Sequence, residues 1–259
     1  MIIASWNVNS IRVRIDQVAD WIKINKPNVL GLQETKTKDE DFPHEVFKEL
    51  GYYSYANGQP AYNGVALITD KPLEDICAGM TAFHDDQKRF LSGLYNGIRI
   101  WNLYVPNGQS VGSDKYDYKL RWLDGLRQEL ELNQGSNYPN ILMGDFNIVP
   151  KDEDVHDPSL WKDKILCSDP ERKALKAITQ DRLIDSFRHL NPDATNFSWW
   201  DYRWAGYRRN LGLRIDLILV ADVLMSQCTR SIIDETPRRL ERPSDHAPIY
   251  IELEPTDHA

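Results

Sequence analysis

Short apolar runs alternate with longer stretches of helical periodicity along the whole chain. Apolar runs of this length, bounded by turn-forming residues, are typical of β-strands. The predicted strands are Ile2–Trp6, Asn28–Gln33, Gly64–Thr69, Arg99–Val105, Asn140–Met143, Ile215–Val220 and Pro248–Leu253.

Amphipathic helices are predicted between these strands. One apolar face is formed at i, i+3, i+4 and i+7 by Ile15, Val18, Ala19 and Ile22. A second face carries Leu120, Leu123, Leu126 and Leu130. A third helix is predicted to open at Asp169-Pro170, where a capping aspartate precedes a proline at the first helical position.

The alternation of strands and helices predicts a layered α/β fold. A chain of 259 residues suffices for one large domain or two small ones. Because no linker-like stretch, low-complexity segment or shift in composition divides it, we expect a single domain over residues 1–259.

Composition is that of a globular protein, with 41% hydrophobic and 27% charged residues. No apolar run approaches the roughly 18 residues that a membrane helix needs, and MIIASWNVNS does not read as a signal peptide. Cys77, Cys167 and Cys228 lack CxxC spacing and are interpreted as reduced thiols. We therefore expect a cytoplasmic protein without a disulfide framework or zinc site.

Charge is unevenly distributed along the chain. The net charge of −8 argues against a generally basic nucleic-acid-binding surface, but carboxylates that hold a metal also count as negative. Two groups of arginines stand out, and a solvated charged face is the ordinary interpretation of both. They are Arg203, Arg208, Arg209 and Arg214, and then Arg238, Arg239 and Arg242.

Polar residues recur at the ends of the predicted strands. If the sheets are mixed, the carboxyl end of one strand meets the amino end of its antiparallel neighbour, so these residues can surround one cleft. Following their strands are Asn7, Glu34, Asp145 and Asn147, whereas Asp216 and Asp245 stand at or before the start of theirs.

Converging carboxylates repel one another, and a hard divalent cation would relieve that repulsion. Ligands that are all oxygen suit magnesium or manganese better than zinc, and Asn7 adds a neutral amide oxygen. Taken singly, Glu34 fits a capping role and Asp145 to Asn147 fits an Asx turn. Their joint occurrence favours the metal site.

The stretch RPSDHAPIYIEL, residues 242–253, places an Asp-His pair between Pro243 and Pro248. Proline restricts the residue before it, so Arg242 and Ala247 are expected to be extended. Such a backbone could aim Asp245 and His246, although a polar turn leading into an edge strand explains the same pattern.

Eight motifs extend across nearly the whole chain, and with them the sequence resembles the exonuclease III family of DNA-repair nucleases, within the endonuclease/exonuclease/phosphatase superfamily. The motifs are SWNVNSIR (5–12), LQETK (32–36), YNGVAL (62–67), YVPNG (104–108), GDFNI (144–148), FSWWDYR (197–203), GLRIDLIL (212–219) and RPSDHAP (242–248). A departure is Asn63, where many relatives have serine or glycine.

The resemblance implies a four-layer α/β sandwich, in which two mixed β-sheets pack face to face, flanked by helices, with the active site where their edges meet. It also implies a hydrolase that requires magnesium, with manganese as a substitute. The expected substrate is double-stranded DNA, processed by 3′-to-5′ exonuclease and 3′-end activity and by incision 5′ to abasic sites. We expect a monomer with no obligate protein partner and no membrane association.

Site roles follow from the same resemblance. The implied metal ligands are Glu34, Asn7 and Asp245, with Asp145 and Asn147 for a second or shifted metal position. The implied catalytic residues are Tyr104, Asp145, Asn147, Asp216 and His246, with Asp216 orienting the histidine and Tyr104 contacting phosphate.

Substrate contacts are expected on the FSWWDYR and GLRIDLIL motifs. An apolar pocket for a base-free deoxyribose is implied for Trp199, Trp200, Leu213 and Ile215, with access affected by Leu166. Arg208 and Arg209 are predicted to contact DNA phosphates. A core position for the two tryptophans remains the alternative.

Two other functions fit parts of this pattern. One is another phosphodiesterase of the superfamily, acting on a phosphoinositide or sphingomyelin; the other is a DNA-binding relative that has lost catalysis. Tryptophans beside arginines favour DNA, because aromatic stacking and guanidinium–phosphate contacts suit it. The complete polar set argues against loss of catalysis.

Overall fold

The computed structural model describes residues 1–180 and 182–254. Over these residues the strands are β1 Ile2–Asn7, β2 Val29–Gln33, β3 Tyr53–Asn57, β4 Val65–Thr69, β5 Glu74–Cys77, β6 Phe90–Tyr95, β7 Ile98–Tyr104, β8 Asn140–Asp145, β9 Leu183–Asp185, β10 Trp199–Trp200, β11 Gly212–Leu213, β12 Asp216–Ala221, β13 Cys228–Ile233 and β14 Ile249–Leu253. The helices are α1 Ile11–Asn25, α2 His44–Glu49, α3 Asp114–Asn133, α4 Pro158–Trp161, α5 Asp169–Thr179, α6 Ser186–Leu190 and α7 Asp222–Met225. None of the helices in this part of the chain has the length and apolar character needed to cross a bilayer.

The strands form two mixed sheets of six strands and one small two-stranded sheet. The first sheet has the order β13-β14-β1-β2-β4-β3, and the second has the order β5-β6-β7-β8-β12-β9. In each, a central pair is parallel (β1 with β2, β7 with β8) and the remaining pairs are antiparallel. Strands β10 and β11 pair separately.

The hydrophobic core separates into layers that follow the sheets. Side chains such as Ile3 and Val29 from the first sheet pack between the sheets against Ile100 and Met143 from the second. On the outer face of the first sheet, one cluster joins it to α1 and α2, and on the outer face of the second sheet another joins it to α3 and α5. The predicted four-layer α/β sandwich is confirmed.

Strand register brings the polar strand ends to the same edge of the sandwich. Asn7 pairs with Gln33 across the parallel β1 and β2, which places Glu34 one residue further along. On the second sheet, Asp145 pairs with Tyr104 on one side and with Asp216 on the other. Three polar side chains therefore form a row across β7, β8 and β12.

Gly144 permits the close strand approach that precedes Asp145. Its φ is +148°, and a Cβ atom added there would lie 1.9 Å from the carbonyl oxygen of Leu103. Only glycine fits this approach without moving the backbone of β7. The glycine of GDFN therefore fixes where Asp145 enters the site.

All seven predicted strands are present, with ends shifted by one or two residues. These shifts place Asn7 and Asp145 inside their strands as the last residues. The pattern missed β3, β5, β6, β9, β10, β11 and β13, which are short, exposed or interrupted by polar residues. Helix α5 is capped by Ser168, one residue before the predicted Asp169.

Candidate active site

Three side chains from three separate loops and strands meet where the two sheets adjoin. Glu34, Asp145 and His246 each offer one ligand atom, and these atoms all lie within 4.8 Å of one another. Asp145 and His246 are buried, whereas Glu34 is partly exposed. A group this acidic and this enclosed needs compensating charge, and the neighbouring residues show how it is supplied.

Asn7 bridges the two carboxylates. Its Nδ2 donates to Glu34 Oε1 at 3.0 Å and to Asp145 Oδ2 at 2.9 Å. Its Oδ1 accepts the backbone N–H of Asn9 at 3.0 Å, which sets the orientation of the amide. In this orientation Asn7 presents donors, not an oxygen ligand, to the carboxylates.

Glu34 directly follows β2 in a left-handed conformation, with φ 51°. Its Oε2 lies 2.9 Å from Lys36 Nζ. Burial raises the pKa of Glu34, but the Lys36 ammonium and the Asn7 amide together lower it by more than burial raises it. The pKa of Glu34 is therefore below its usual value. Glu34 is therefore ionised and available to a cation at neutral pH.

Asp145 belongs to an Asx turn and to the acidic group at once. Its Oδ1 accepts the backbone N–H of Asn147 at 2.9 Å, which is the turn, while Oδ2 faces Asn7 and His246. The amide of Asn147 donates to the Val105 carbonyl at 3.1 Å and accepts from Asn107 at 3.0 Å. The two interpretations of this stretch are thus compatible, and the Asn147 side chain fixes a loop.

His246 and Asp216 form a buried pair. His246 Nδ1 lies 2.9 Å from Asp216 Oδ2, and His246 Nε2 lies 3.7 Å from Asp145 Oδ2. Burial lowers the pKa of His246, but Asp216 and then Asp145 raise it more, to about 10. Ser198 Oγ holds Asp216 in place by accepting its backbone N–H at 3.0 Å.

Asp145 has a pKa raised to about 7. Burial is the main cause; Asp216 and Glu34 add to the increase, and His246 opposes it. A cation bound beside Asp145 would favour the carboxylate form. Without a cation, Asp145 therefore exchanges a proton near neutral pH, and with a cation bound it is a carboxylate.

Asp245 lies beside this group without joining it. Its Oδ2 accepts from Trp199 Nε1 at 2.9 Å and its Oδ1 accepts from Asn9 Nδ2 at 2.9 Å. The backbone around it also differs from expectation, because Arg242 is left-handed with φ 51° where an extended residue was predicted. The backbone carbonyl of Arg242 accepts a hydrogen bond from Arg14 Nε at 3.2 Å, and this contact stabilises the turn.

Tyr104 lies at the end of β7 beneath a guanidinium. The carbon at the centre of the Arg89 guanidinium is 4.7 Å from the centre of the Tyr104 ring. Burial, and then the Glu34 and Asp145 carboxylates, raise the pKa of Tyr104 well above its usual value. The phenol is therefore neutral and can act as a hydrogen-bond donor.

The residues predicted for an apolar pocket are divided by the structure. Trp199 is half-buried, but Trp200 is completely buried. The Trp200 ring packs edge-on against Tyr207 at 5.1 Å, and Arg238 lies over it at 5.6 Å. Trp200 is a core residue in this structure, which is the alternative that the sequence left open for it.

Leu213 and Ile215 are also buried, in a cluster that includes Leu166 and Val149. Trp199 packs at the border of this cluster. A packed apolar cluster therefore lies directly before Asp216 in the fold, with Trp199 partly exposed at its border. Arg208 and Arg209 are exposed on the neighbouring loop.

Several residues that organise the site were not singled out from the sequence. Asn9, Lys36, Ser198 and Ser244 contact predicted site residues or their backbone. All of them lie inside the quoted motifs, so motif membership was the available signal.

The donor set fits a hard divalent cation. Glu34 and Asp145 supply carboxylate oxygens at a point where negative charge is only partly balanced by Lys36 and His246. Oxygen donors of this kind suit magnesium. Asn7 would have to turn its amide to contribute an oxygen.

The fold and the group of Glu34, Asp145 and His246 define a class of protein. These are α/β-sandwich hydrolases with an acidic site, suited to a metal ion, where the two sheets meet. A family model described as the Endonuclease/Exonuclease/phosphatase family matches residues 4–246. Exodeoxyribonuclease III of Haemophilus influenzae is 38% identical over 262 residues, which cover 96% of this chain and 98% of the relative. Exodeoxyribonuclease of Bacillus subtilis is 31% identical over 256 residues, covering 97% and 98%.

Solved structures show the same similarity. A 3′ phosphatase from Neisseria, bound to product DNA hairpin, superposes with a TM-score of 0.96 at 37% identity, covering 98% of this chain and 99% of that one. An AP endonuclease from Archaeoglobus fulgidus gives 0.95 at 35% identity, covering 98% and 100%. The chain belongs to the endonuclease/exonuclease/phosphatase family, on its exonuclease III branch. The enzyme class predicted from the motifs is confirmed.

The packing of Trp200 generates a stability prediction. Trp200→Ala should lower the free energy of unfolding by about 3–5 kcal/mol, because it leaves a large cavity in a packed core. The matched control is Trp204→Ala, since Trp204 is 80% exposed, and its loss should stay within about 0.5 kcal/mol. Urea denaturation measures both, and equal losses would contradict the core assignment.

Proposed function

We propose that the protein is a magnesium-dependent DNA-repair phosphodiesterase that acts on double-stranded DNA. Its activities in this proposal are 3′-to-5′ exonuclease and 3′-end processing together with incision 5′ to abasic sites. The proposal rests on one observation above all: Glu34, Asp145 and His246 converge within 4.8 Å where the sheet edges meet. The relatives' names support the substrate class.

Hydrolysis of a phosphodiester needs charge compensation on the non-bridging oxygens and a water in line with the leaving oxygen. His246 is protonated at neutral pH because its pKa is raised to about 10. Its Nδ1 is held by Asp216, which leaves Nε2 as the donor toward a non-bridging oxygen. Tyr104 adds a neutral donor next to Asp145.

Asp145 is the residue that moves a proton in this scheme. As a carboxylate it can accept a proton from the attacking water, and as an acid it can donate one to the leaving oxygen. The magnesium ion, when bound, neutralises charge on the phosphate and stabilises the leaving alkoxide. Glu34 and Asp145 are the carboxylates that would hold it, and in this proposal Asp245 and Asn147 support the site from outside.

A catalytically active DNA enzyme is favoured over the two alternative functions. The Haemophilus and Bacillus relatives are both named exodeoxyribonucleases, a name for enzymes that act on DNA. Arg208 and Arg209 are exposed on the segment that joins β10, which carries Trp199, to β11, and this exposure suits contacts with DNA phosphates. The intact acidic group argues against a DNA-binding relative that has lost catalysis.

We also infer one domain over residues 1–259. The family match spans residues 4–246, and one cluster of core side chains joins both sheets. Asp181 and residues 255–259 lie outside the described residues. Manganese in place of magnesium, a monomeric state and a cytoplasmic location remain predictions from the sequence.

Metal dependence is the first test of this function. The substrates are duplexes with one abasic analogue, a 3′ recessed end or a 3′ phosphate, each with magnesium or with chelator. Magnesium should support cleavage and chelator should abolish it. Glu34→Gln should lower the rate by roughly 10²-fold or more, because a carboxylate that holds the cation is lost, while the thermal transition persists. Full cleavage in chelator would exclude the metal.

The His246–Asp216 pair gives the second test. His246→Asn and Asp216→Ala should each lower kcat by about 10²-fold, the range usual for acid–base groups. Because the two residues act through one hydrogen bond, the double variant should lose much less than the product of the single losses. Single-turnover rates on the abasic duplex measure this. Multiplicative losses would show that the residues act independently.

A further inference from the structure

Lys119 is a completely buried lysine next to the candidate active site, on the face of α3 that packs inward. Its Nζ donates to the carbonyl oxygen of Asn147 at 2.6 Å and to that of Asn107 at 3.1 Å. The third donor goes to the carboxylate of Glu171, which is also completely buried. All three ammonium donors therefore have partners.

The Asn147 contact ties Lys119 to the acidic group. Asn147 is left-handed, with φ 49°, and its backbone N–H is the one that Asp145 accepts in the Asx turn. Its side-chain oxygen accepts from Asn107, whose carbonyl Lys119 also holds. One ammonium group thus fixes two loops that end directly beside Asp145 and Tyr104.

Glu171 extends the network toward the apolar cluster that contains Leu166 and Leu213. Its Oε1 accepts the backbone N–H of Leu166 at 3.1 Å, and its Oε2 accepts the N–H and Oγ–H of Ser168 at 3.1 and 2.6 Å. Leu166 is left-handed, with φ 73°, and its carbonyl accepts from Val149 at 2.7 Å. Glu171 therefore fixes the segment that packs beside Leu213.

Stability alone is a poor explanation for this pair. Removing two charges from water carries a large desolvation penalty, and well-packed apolar residues often stabilise a core as much or more. What an apolar pair would not supply is a donor for the carbonyls of Asn107 and Asn147. The distinctive contribution of the pair is geometric.

We propose that Lys119 and Glu171 are positioning residues for the reaction. Their ion pair fixes the turn from Asp145 to Asn147 and the segment at Leu166 in one arrangement, so that the chemical step depends on it more than substrate binding does. Small displacements of reacting groups cost rate steeply, which is why a buried clamp at this distance affects turnover. The kinetic part of this inference rests on the proposed function.

The test separates positioning from stability with three variants. Glu171→Gln keeps one acceptor oxygen, enough for Leu166 or for Ser168 but not for both, and leaves the Lys119 charge without its counter-ion. Lys119→Met leaves the Glu171 charge without its counter-ion. The double variant Lys119→Met/Glu171→Gln removes both charges. Its melting temperature should therefore recover toward that of the wild type relative to either single variant.

Activity should not recover with stability. Lys119→Met and the double variant should both lower kcat by about 10-fold or more, with KM changed by less than about 3-fold, because the Asn147 carbonyl has lost its donor in each. A double variant that regains both its melting temperature and its kcat would overturn the proposal, since the pair would then be structural only.

Hydrogen exchange provides a readout that does not depend on cleavage. Three backbone N–H groups of this turn are hydrogen-bonded. Phe146 donates to the Ile215 carbonyl, Asn147 to the Asp145 carboxylate and Val149 to the Leu166 carbonyl. Their segment should exchange about 10-fold faster in the double variant than in the wild type. Unchanged exchange would overturn the inference. Failure of the wild type to cut any of the duplexes would instead overturn the proposed function.

The matched control is Arg99→Met. Arg99 is a buried cation paired with Asp75, but it lies near the start of β7, at the end opposite Tyr104. This variant should lose stability while its kcat and the exchange of residues 145–149 stay as in the wild type. An equal loss of kcat would show that any buried-cation defect slows the enzyme, and would overturn the proposal.

Discussion

The rest of the site depends on repulsion between carboxylates that the fold forces together. Glu34 and Asp145 approach each other in a place with little water, and Asp216 lies next along the sheet. Like charges so placed raise one another's pKa values unless neighbouring groups compensate. The amide of Asn7, the ammonium of Lys36 and the imidazolium of His246 provide part of that compensation. A divalent cation would provide the remainder.

Strand register turns this electrostatic constraint into a defined geometry. Strands β1 and β2 are parallel, whereas β12 runs antiparallel to β8. The carboxyl ends of some strands and the amino ends of others therefore meet at one edge of the sandwich. Gly144 allows β8 to approach β7 closely just before Asp145. The loops after the strands are then fixed by buried polar contacts, among them the Lys119–Glu171 ion pair.

The sequence was informative where local pattern and chemistry coincide. Glu34, Asp145 and Asp216 could be identified because they stand at strand ends inside recognisable motifs, and the structure brings them together. The alternation of side chains along a strand bears on the prediction that Trp199 and Trp200 both line one pocket. Successive side chains of a strand point to opposite faces, so one pocket on one face cannot be lined equally by both.

Other features depended on tertiary packing that no local pattern reports. Lys119 falls on the same helical face as Leu123 and Leu126, yet a lone charge on an apolar face does not reveal its partner. Glu171 is visible in the sequence as the last residue of a capping box that begins at Ser168. Only the fold shows that the two meet, because 52 residues separate them.

The central claim is that Glu34 and Asp145 form a cation site. Crystals grown with manganese test it most directly, because anomalous scattering locates the ion independently of any activity. The account predicts a peak between these two carboxylates in the wild type and its loss in Glu34→Gln. No peak there at saturating manganese, or a peak that Glu34→Gln leaves unchanged, would contradict the account.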